Sequence, residues 1–230
     1  MWCWLGRVPF APAAVLQERL RAGVVAGTGA ETLLLLEHTP VITLGRSAEP
    51  SNVLAPPADL ARRGIDVVRT TRGGDVTYHG PGQLVGYPIV RLRSGVVAHM
   101  TGMACAIAAV LKNYGIDARW RREAAGLWVG DAKICAFGIN IHRRVTVHGF
   151  ALNLGTDLGA FELIVPCGIS GCAVTSVRTL TGDAPTPGAL AARMAAALGD
   201  RFGMVFEGAQ QPAARVSIAM PFGTTTMENA

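Results

Sequence analysis

The 230-residue chain is poor in lysine: only Lys112 and Lys133 join the arginines in a basic complement of 21 residues. A phosphate-binding loop needs lysine followed by serine or threonine after a glycine run, and here the two lysines precede Asn113 and Ile134. GxGxxG, GxSxG and HExxH are also missing, so no dinucleotide fingerprint, serine-hydrolase elbow or zinc-protease helix is expected. Nothing approaches the roughly 18 apolar residues of a membrane span; the longest clean run, residues 103–111, is half that. The N-terminus lacks a basic segment followed by a continuous apolar one, so a signal peptide is not expected and a cytoplasmic protein is. Five cysteines (3, 105, 135, 167 and 172), odd in number and without CxxC, argue against a disulfide framework. The spacing of Cys135, Cys167, Cys172, His142 and His148 fits none of the usual zinc patterns, and no metal or cofactor is expected. A net charge of +5 favours acidic partners at long range. With no basic run longer than a pair of arginines and no recognition-helix or RNA-binding signature, neither nucleic acid nor membrane is an expected partner.

Half the residues are apolar, enough for a sizeable core. Residues 11–26 predict a helix. Residues 32–36 and 41–45 predict short strands separated by Glu37-His38-Thr39-Pro40, where Glu37 and His38 are read as orienting a strand end. Residues 47–64 read as a polar surface connection, and residues 65–71 and 84–90 as strands entering and leaving a glycine-rich loop. Met100, Met103, Ile107, Val110, Leu111 and Tyr114 recur at helical spacing before Gly115, a helix stop. Strand-like runs follow at 116–120, 126–129, 133–141 and 145–154, with turns at Gly130-Asp131 and Arg143-Arg144; residues 174–177 are also strand-like. Thr186-Pro187 predicts the start of a helix with Leu190, Met194, Leu198 and Phe202 on its apolar face. Antiparallel runs with a few helices give α+β. With no linker or repeat, a single domain over residues 1–206 is expected, followed by a loosely attached tail at 207–230.

One stretch concentrates special chemistry. Residues 72–88 read RGGDVTYHGPGQLVGYP, with five glycines and two prolines, a poor helix and, before Gln83, a poor strand. Gly73-Gly74 lets the backbone approach a ligand, Arg72 sets a permanently charged fork beside that opening, and Thr77, Tyr78, His79 and Gln83 add hydrogen-bonding tips. This composition reads as the wall of a binding site. Elsewhere, Pro166-Cys167-Gly168 puts a cysteine on a turn, a backbone-rich and exposed setting unlike that of Cys105 on its helix, which is read as core. A free cysteine near its ordinary pKa is only about 3% thiolate at neutral pH, so a reactive one needs a base or cation nearby. Lys133 begins an otherwise apolar strand; taken alone it reads as an edge-strand lysine in solvent.

Arg-Gly-Gly-x-x-Thr-Tyr-His-Gly-Pro-Gly-Gln, Glu-His-x-Pro-Val-x-Thr-x-Gly-Arg at 37–46, Lys-Ile-x-x-x-Gly at 133–138 and Pro-Cys-Gly-Ile at 166–169 together resemble the lipoyl(octanoyl) transferases, over roughly residues 30–182. The resemblance implies a central mixed sheet flanked by helices, as in the catalytic domains of biotin and lipoate protein ligases. It implies that Cys167 carries an acyl thioester and that Lys133 activates it, either as a cation or, desolvated, as a general base. It maps substrate contacts onto Arg72, Gly73, Gly74, Asp75, Val76, Thr77, Tyr78 and His79, onto Ala136, Phe137 and Gly138, and onto Gly149, Phe150 and Ala151, with Phe137 and Phe150 read as an apolar wall. His148 and Asn153 are read as lying behind these. The implied reaction moves an octanoyl group from octanoyl-acyl carrier protein to a lysine of lipoyl domains, in 2-oxoacid dehydrogenase complexes and the glycine cleavage H protein. The rivals are an ATP-dependent lipoate or biotin ligase on the same fold and a non-catalytic acyl-carrier-binding module. Cys172, close in sequence to Cys167, raises an oxidised resting form.

Overall fold

The computed structural model describes residues 1–169 and 171–208; the expected tail lies almost wholly outside them. Along the chain run β1 (Trp2–Val8), α1 (Phe10–Ala26), β2 (Thr32–His38), β3 (Val41–Leu44), α2 (Pro57–Arg62), β4 (Asp66–Arg69), β5 (Val76–His79) and β6 (Gln83–Ile89). Then come α3 (Val96–Lys112), β7 (Arg119–Arg121), β8 (Gly126–Val129), β9 (Ala132–His142), β10 (Val145–Asn153), β11 (Ala173–Val174), α4 (Val177–Thr181) and α5 (Pro187–Phe202). The large sheet has the order β1-β2-β6-β10-β9-β8-β7, with β11 on β9. It is mixed: β1 runs parallel to β2 and β11 parallel to β9, while the remaining pairs are antiparallel. A second sheet of three strands, β4-β3-β5, stands beside it.

Both faces of the large sheet are covered, which explains the unbroken apolar run in β2. Leu33 and Leu35 enter the core under α3 and α5 with Met103, Ile107, Leu111, Met194 and Leu198. Leu34 and Leu36 enter the core under α1 with Val85, Tyr87, Val147 and Ala151. A third cluster, around Ile42, Val76, Tyr78, Phe161 and Ile164, supports the small sheet. The Thr186 hydroxyl accepts a hydrogen bond from Ala189 N and Pro187 fills the first turn of α5, the cap that the sequence signals. Arg143 and Arg144 both take positive φ (46° and 65°), the geometry of a tight two-residue hairpin.

Several elements differ from the pattern-based expectation. β1 forms from Trp2–Val8, which carries no period-2 signal but completes the sheet edge beside β2. The connection over 47–64 holds α2, started by Pro57 at its first turn. Residues 76–79 form a strand despite the flanking glycines, because β3 supplies its partner (Thr43 opposite Thr77). The strand-like reading of 174–177 gives way after Val174, where Ser176 Oγ accepts from Thr179 N and starts α4.

Burial holds His38 and His99 neutral, with pKa values pushed down to about 4. Below about pH 6.5 the unfolded chain binds protons that the folded chain refuses until about pH 4, so stability is full above that window and falls with pH through it. The melting temperature is expected to drop steadily across this range, and less steeply in His99→Leu, which removes one of the buried histidines responsible. A flat melting temperature between these limits contradicts this account.

Candidate active site

The loop from Arg72 to Asp75 is held between the two sheets. Gly73 N donates to Ile139 O on β9 at 3.0 Å, Arg46 N donates to Arg72 O at 2.9 Å, and Gly45 N donates to Asp75 O at 3.2 Å. Gly138 permits the docking: a Cβ there would stand 2.8 Å from Gly73 O. Glu37 Oε2 accepts from Gly82 N at 2.7 Å and anchors the far end of the glycine-rich segment. His38 Nδ1 donates to Val8 O at 2.9 Å, leaving Nε2 to accept from the Tyr87 hydroxyl at 2.7 Å. Glu37 and His38 therefore fix strand ends.

Arg72 is buried with no carboxylate ion pair among the described residues. Its Nε and Nη2 donate to Thr43 Oγ1 (3.1 and 2.9 Å) and its Nη1 to Gly73 O (3.0 Å). Burial pulls its pKa down to about 10, while Cys167, Tyr87 and Asp75 oppose that fall. From Thr43 a line of buried hydrogen bonds continues. The Thr43 hydroxyl meets His79 Nε2 at 3.3 Å and His79 Nδ1 meets Gln83 Oε1 at 2.8 Å. Gln83 Nε2 donates to Asn153 Oδ1 at 2.9 Å, Asn153 Nδ2 to Thr175 O at 3.1 Å, and Thr175 N to Lys133 O at 2.9 Å. The direction is consistent throughout if His79 carries its proton on Nδ1 and stays neutral. Burial, with the charges around it, holds its pKa well below the usual histidine range. This relay joins Arg72 to the backbone of Lys133 across both sheets.

Lys133 is 4% exposed, and its Nζ lies 2.9 Å from Cys167 Sγ. The ammonium also lies 4.8 Å from the centre of the Trp128 ring, which Arg121 approaches at 4.9 Å. A register irregularity between Leu127 and Trp128 sets Lys133 opposite Trp128 and Ala136 opposite Gly126, so Trp128, Lys133 and Ala136 share a face. Gly126 leaves room for the lysine, since a Cβ there would stand 2.9 Å from Lys133 Cε. Cys167 takes φ 59°, ψ 17° within a short helical turn, Pro166–Gly168. A non-glycine residue in this left-handed region is strained, and strain of this kind clusters at functional sites.

A cleft of about 220 Å³ runs from this pair beneath the Arg72 loop. Of the residues picked out in the sequence, Arg72, Gly74, Asp75, Thr77, His79, Ala136, Gly138, Gly149 and Ala151 line it together with Lys133 and Cys167. Gly73 adjoins it through its bond to Ile139. Val76 and Tyr78 turn away, as strand alternation requires; Tyr78 packs edge-on against Phe161 at 5.7 Å in the third cluster. Phe137 and Phe150 border the cleft, yet they belong to the core under α3 and α5, with Trp120 edge-on to Phe137 at 5.3 Å. The two phenylalanines thus serve both the cleft and the core, beside a floor of small residues. Asn153 lies behind the cleft in the relay, whereas His148 lines the cleft with Phe10 and Tyr87. Phe10 and Trp128 carried no local signal in the sequence; Thr43 and Tyr87 stood inside the quoted segments at 37–46 and 72–88 but had been given no role. Cys135 is buried in the core under α3 and α5, where burial raises its thiol pKa. All five cysteines are unpaired.

Residues 9–199 match the model of the lipoyl protein ligase A/B catalytic domain. The chain is 45% identical over 207 residues to an octanoyltransferase of Chloroflexus aurantiacus, covering 87% of this chain and 93% of that one. It is 51% identical over 179 residues to an octanoyltransferase of Solibacter usitatus, covering 76% and 81%. The chain belongs to the octanoyltransferase family. It is an acyltransferase, active in lipoyl and octanoyl transfer. A lipoate-protein ligase A solved with bound ATP shares the fold at a TM-score of 0.74, with 14% identity and coverage of 90% and 87%. A biotin protein ligase from Aquifex aeolicus shares it at 0.52, with 10% identity and coverage of 88% and 68%. The fold class is the expected one, α+β with a central mixed sheet flanked by helices.

A cation held over an aromatic face gains about 0.5 to 2 kcal/mol, which makes Trp128 part of the lysine's seat. Trp128→Leu is expected to slow alkylation of Cys167 at neutral pH by a few-fold to about tenfold, read by mass spectrometry of the Cys167 peptide. An unchanged rate contradicts this.

Proposed function

We propose that this enzyme moves an octanoyl group from octanoyl-acyl carrier protein to a lysine of lipoyl domains, through a thioester on Cys167. The contact of Lys133 Nζ with Cys167 Sγ, 2.9 Å at one end of the cleft, carries this reading. Cys167 as thiolate attacks the thioester carbonyl of the donor. The carbon–sulfur bond to the carrier's pantetheine breaks, and the departing thiolate takes a proton. The octanoyl chain then lies along Ala136, Gly138, Gly149 and Ala151, where each buried methylene contributes about 0.8 kcal/mol. The amine of an incoming lysine attacks the Cys167 thioester, loses a proton and forms an amide, and Cys167 leaves as thiolate. In this scheme Lys133 stabilises the thiolate in both steps and passes the protons. Thioester exchange is near balance and amide formation is downhill, so the cycle runs without nucleotide energy.

The same reading takes residues 1–206 as the catalytic unit and places it in the cytoplasm, which unpaired cysteines suit. No helix among the described residues is long and apolar enough to cross a membrane. Candidate acceptors are the lipoyl domains of 2-oxoacid dehydrogenase complexes and the glycine cleavage H protein. An ATP-dependent ligase on the same fold is the alternative; it would activate a free acid as an adenylate and has no need of a thiol beside Lys133.

Incubation with octanoyl-acyl carrier protein, without ATP, is expected to add one octanoyl group that hydroxylamine removes, while Cys167→Ser carries no hydroxylamine-labile group. Intact-protein mass spectrometry reads both. Transfer that requires ATP and survives in Cys167→Ser would establish the ligase instead.

A further inference from the structure

His148 breaks the rules of its strand. β10 is buried along its whole length and pairs in register with β9, His148 opposite Ile139 and Gly149 opposite Gly138. Strict alternation would send the side chain of residue 148 to the face of Phe150 and Leu152, under α3 and α5. At φ 58° it does not go there. The ring lies instead on the α1 face, stacked 8° from parallel on Phe10 at a centroid distance of 6.5 Å and edge-on to Tyr87 at 6.1 Å. Three contacts from outside the strand hold it. Its backbone N–H donates to Gln17 Oε1 at 2.7 Å, its Nε2 meets Thr71 Oγ1 at 3.3 Å, and Phe10 covers one face. Non-glycine residues adopt this conformation at a cost, and only where the surroundings impose it.

The cleft gives that cost a purpose. It is open at the Cys167 end, where Glu123, Gly168 and Ile169 are exposed, and closed at the other, where Phe10, Tyr87 and His148 are all buried. Between the two ends the floor consists of residues with little or no side chain: Ala136 paired with Ala151, then Gly138 paired with Gly149. The Lys133 side chain runs along the strand to the level of Gly126, which pairs with Ala136, since a Cβ at Gly126 would stand 2.9 Å from its Cε, and from Ala136 to Gly138 β9 advances about 7 Å. An extended eight-carbon acyl chain is about 10 Å long. A chain that starts at Cys167 Sγ therefore ends over the Gly138–Gly149 pair, and the next residue along β10 is His148.

We infer that His148, stacked on Phe10, is the end wall of the acyl cleft and sets the length of the chain the enzyme accepts. This deepens the acyl-thioester reading above and rests on it. The wall is aromatic and uncharged: burial, aided by Arg72 and Arg21, holds the pKa of His148 down to about 4, so a neutral ring faces the terminal methyl. Such a wall acts by exclusion. Longer chains lose their seat because they meet a ring that cannot swing away without breaking the Thr71 contact and leaving Phe10, on a backbone that Gln17 pins.

The test is the chain-length profile of the Cys167 adduct, measured by intact-protein mass spectrometry with octanoyl-, decanoyl- and dodecanoyl-acyl carrier protein. His148→Gly suits it because glycine accepts positive φ without strain while removing the wall; Phe10→Ala removes the support from the other side. The ratio of dodecanoyl to octanoyl acylation rates is expected to rise about tenfold or more in His148→Gly, and to rise in Phe10→Ala as well. Rates that fall together for all three donors, or a profile unchanged in both variants, would overturn the assignment by giving His148 a merely structural role. The two proposals fail separately: a wild-type enzyme that takes up no acyl group from any donor defeats the thioester mechanism, whereas wild-type uptake with an unaltered profile in the variants defeats only the end wall.

Discussion

A lysine ammonium buried to 4% exposure with a thiol as its nearest polar partner is the constraint around which the site is arranged. Taking an ammonium out of water costs several kcal/mol unless an opposite charge answers it. No carboxylate forms a salt bridge with Lys133 among the described residues, and none does so with Arg72, the second buried cation of the cleft. The group whose charge would answer both is the sulfur of Cys167, which the proposed mechanism ionises. The fold thus stores positive charge where, in the proposed cycle, a thiolate forms twice, before the donor is attacked and after the acceptor has reacted. The aromatic face of Trp128 steadies that charge without neutralising it, which a carboxylate would do.

Geometry is supplied by the line of hydrogen bonds from Arg72 through Thr43, His79, Gln83, Asn153 and Thr175 to the backbone of Lys133. Buried polar networks are costly when half satisfied and rigidifying when complete. Every link named here has a partner, and the links span the small sheet, the large sheet and the segment that leads from Cys167 to α4. Lys133 and Cys167, the proposed catalytic pair, come from different parts of the chain, β9 and the 166–168 turn. The relay sets the strand that presents Lys133 against the loop that carries Arg72.

The sequence displayed the site's chemistry better than its directions. Gly73-Gly74, Pro166-Cys167-Gly168 and Lys133, one of only two lysines, stand out because their residue types are unusual where they occur, and all lie at or beside one cleft. Which side chains face that cleft depends on strand phase, and phase was obscured by irregularities. The offset beside Trp128 puts Lys133 and Ala136 on one face, and the left-handed turn at His148 moves its ring across the sheet. The local pattern of residues 72–82 also hid β5, whose existence depends on pairing with β3 some thirty residues earlier. Long periodic elements such as α3 and α5 were legible because their apolar spacing reports burial directly. Short ones, such as α2 and α4, exist through tertiary contact and a single starting residue, Pro57 in one and the Ser176 cap in the other.

The most direct test of the central claim is chemical rescue at position 133. If a buried amine is what makes the Cys167 thiol reactive, Lys133→Ala should form the octanoyl adduct far more slowly than wild type. A small primary amine, diffusing into the space left beside Gly126 and Trp128, should then restore adduct formation in a concentration-dependent way. Wild-type rates in Lys133→Ala without added amine would contradict the account, as would a folded variant that no amine restores.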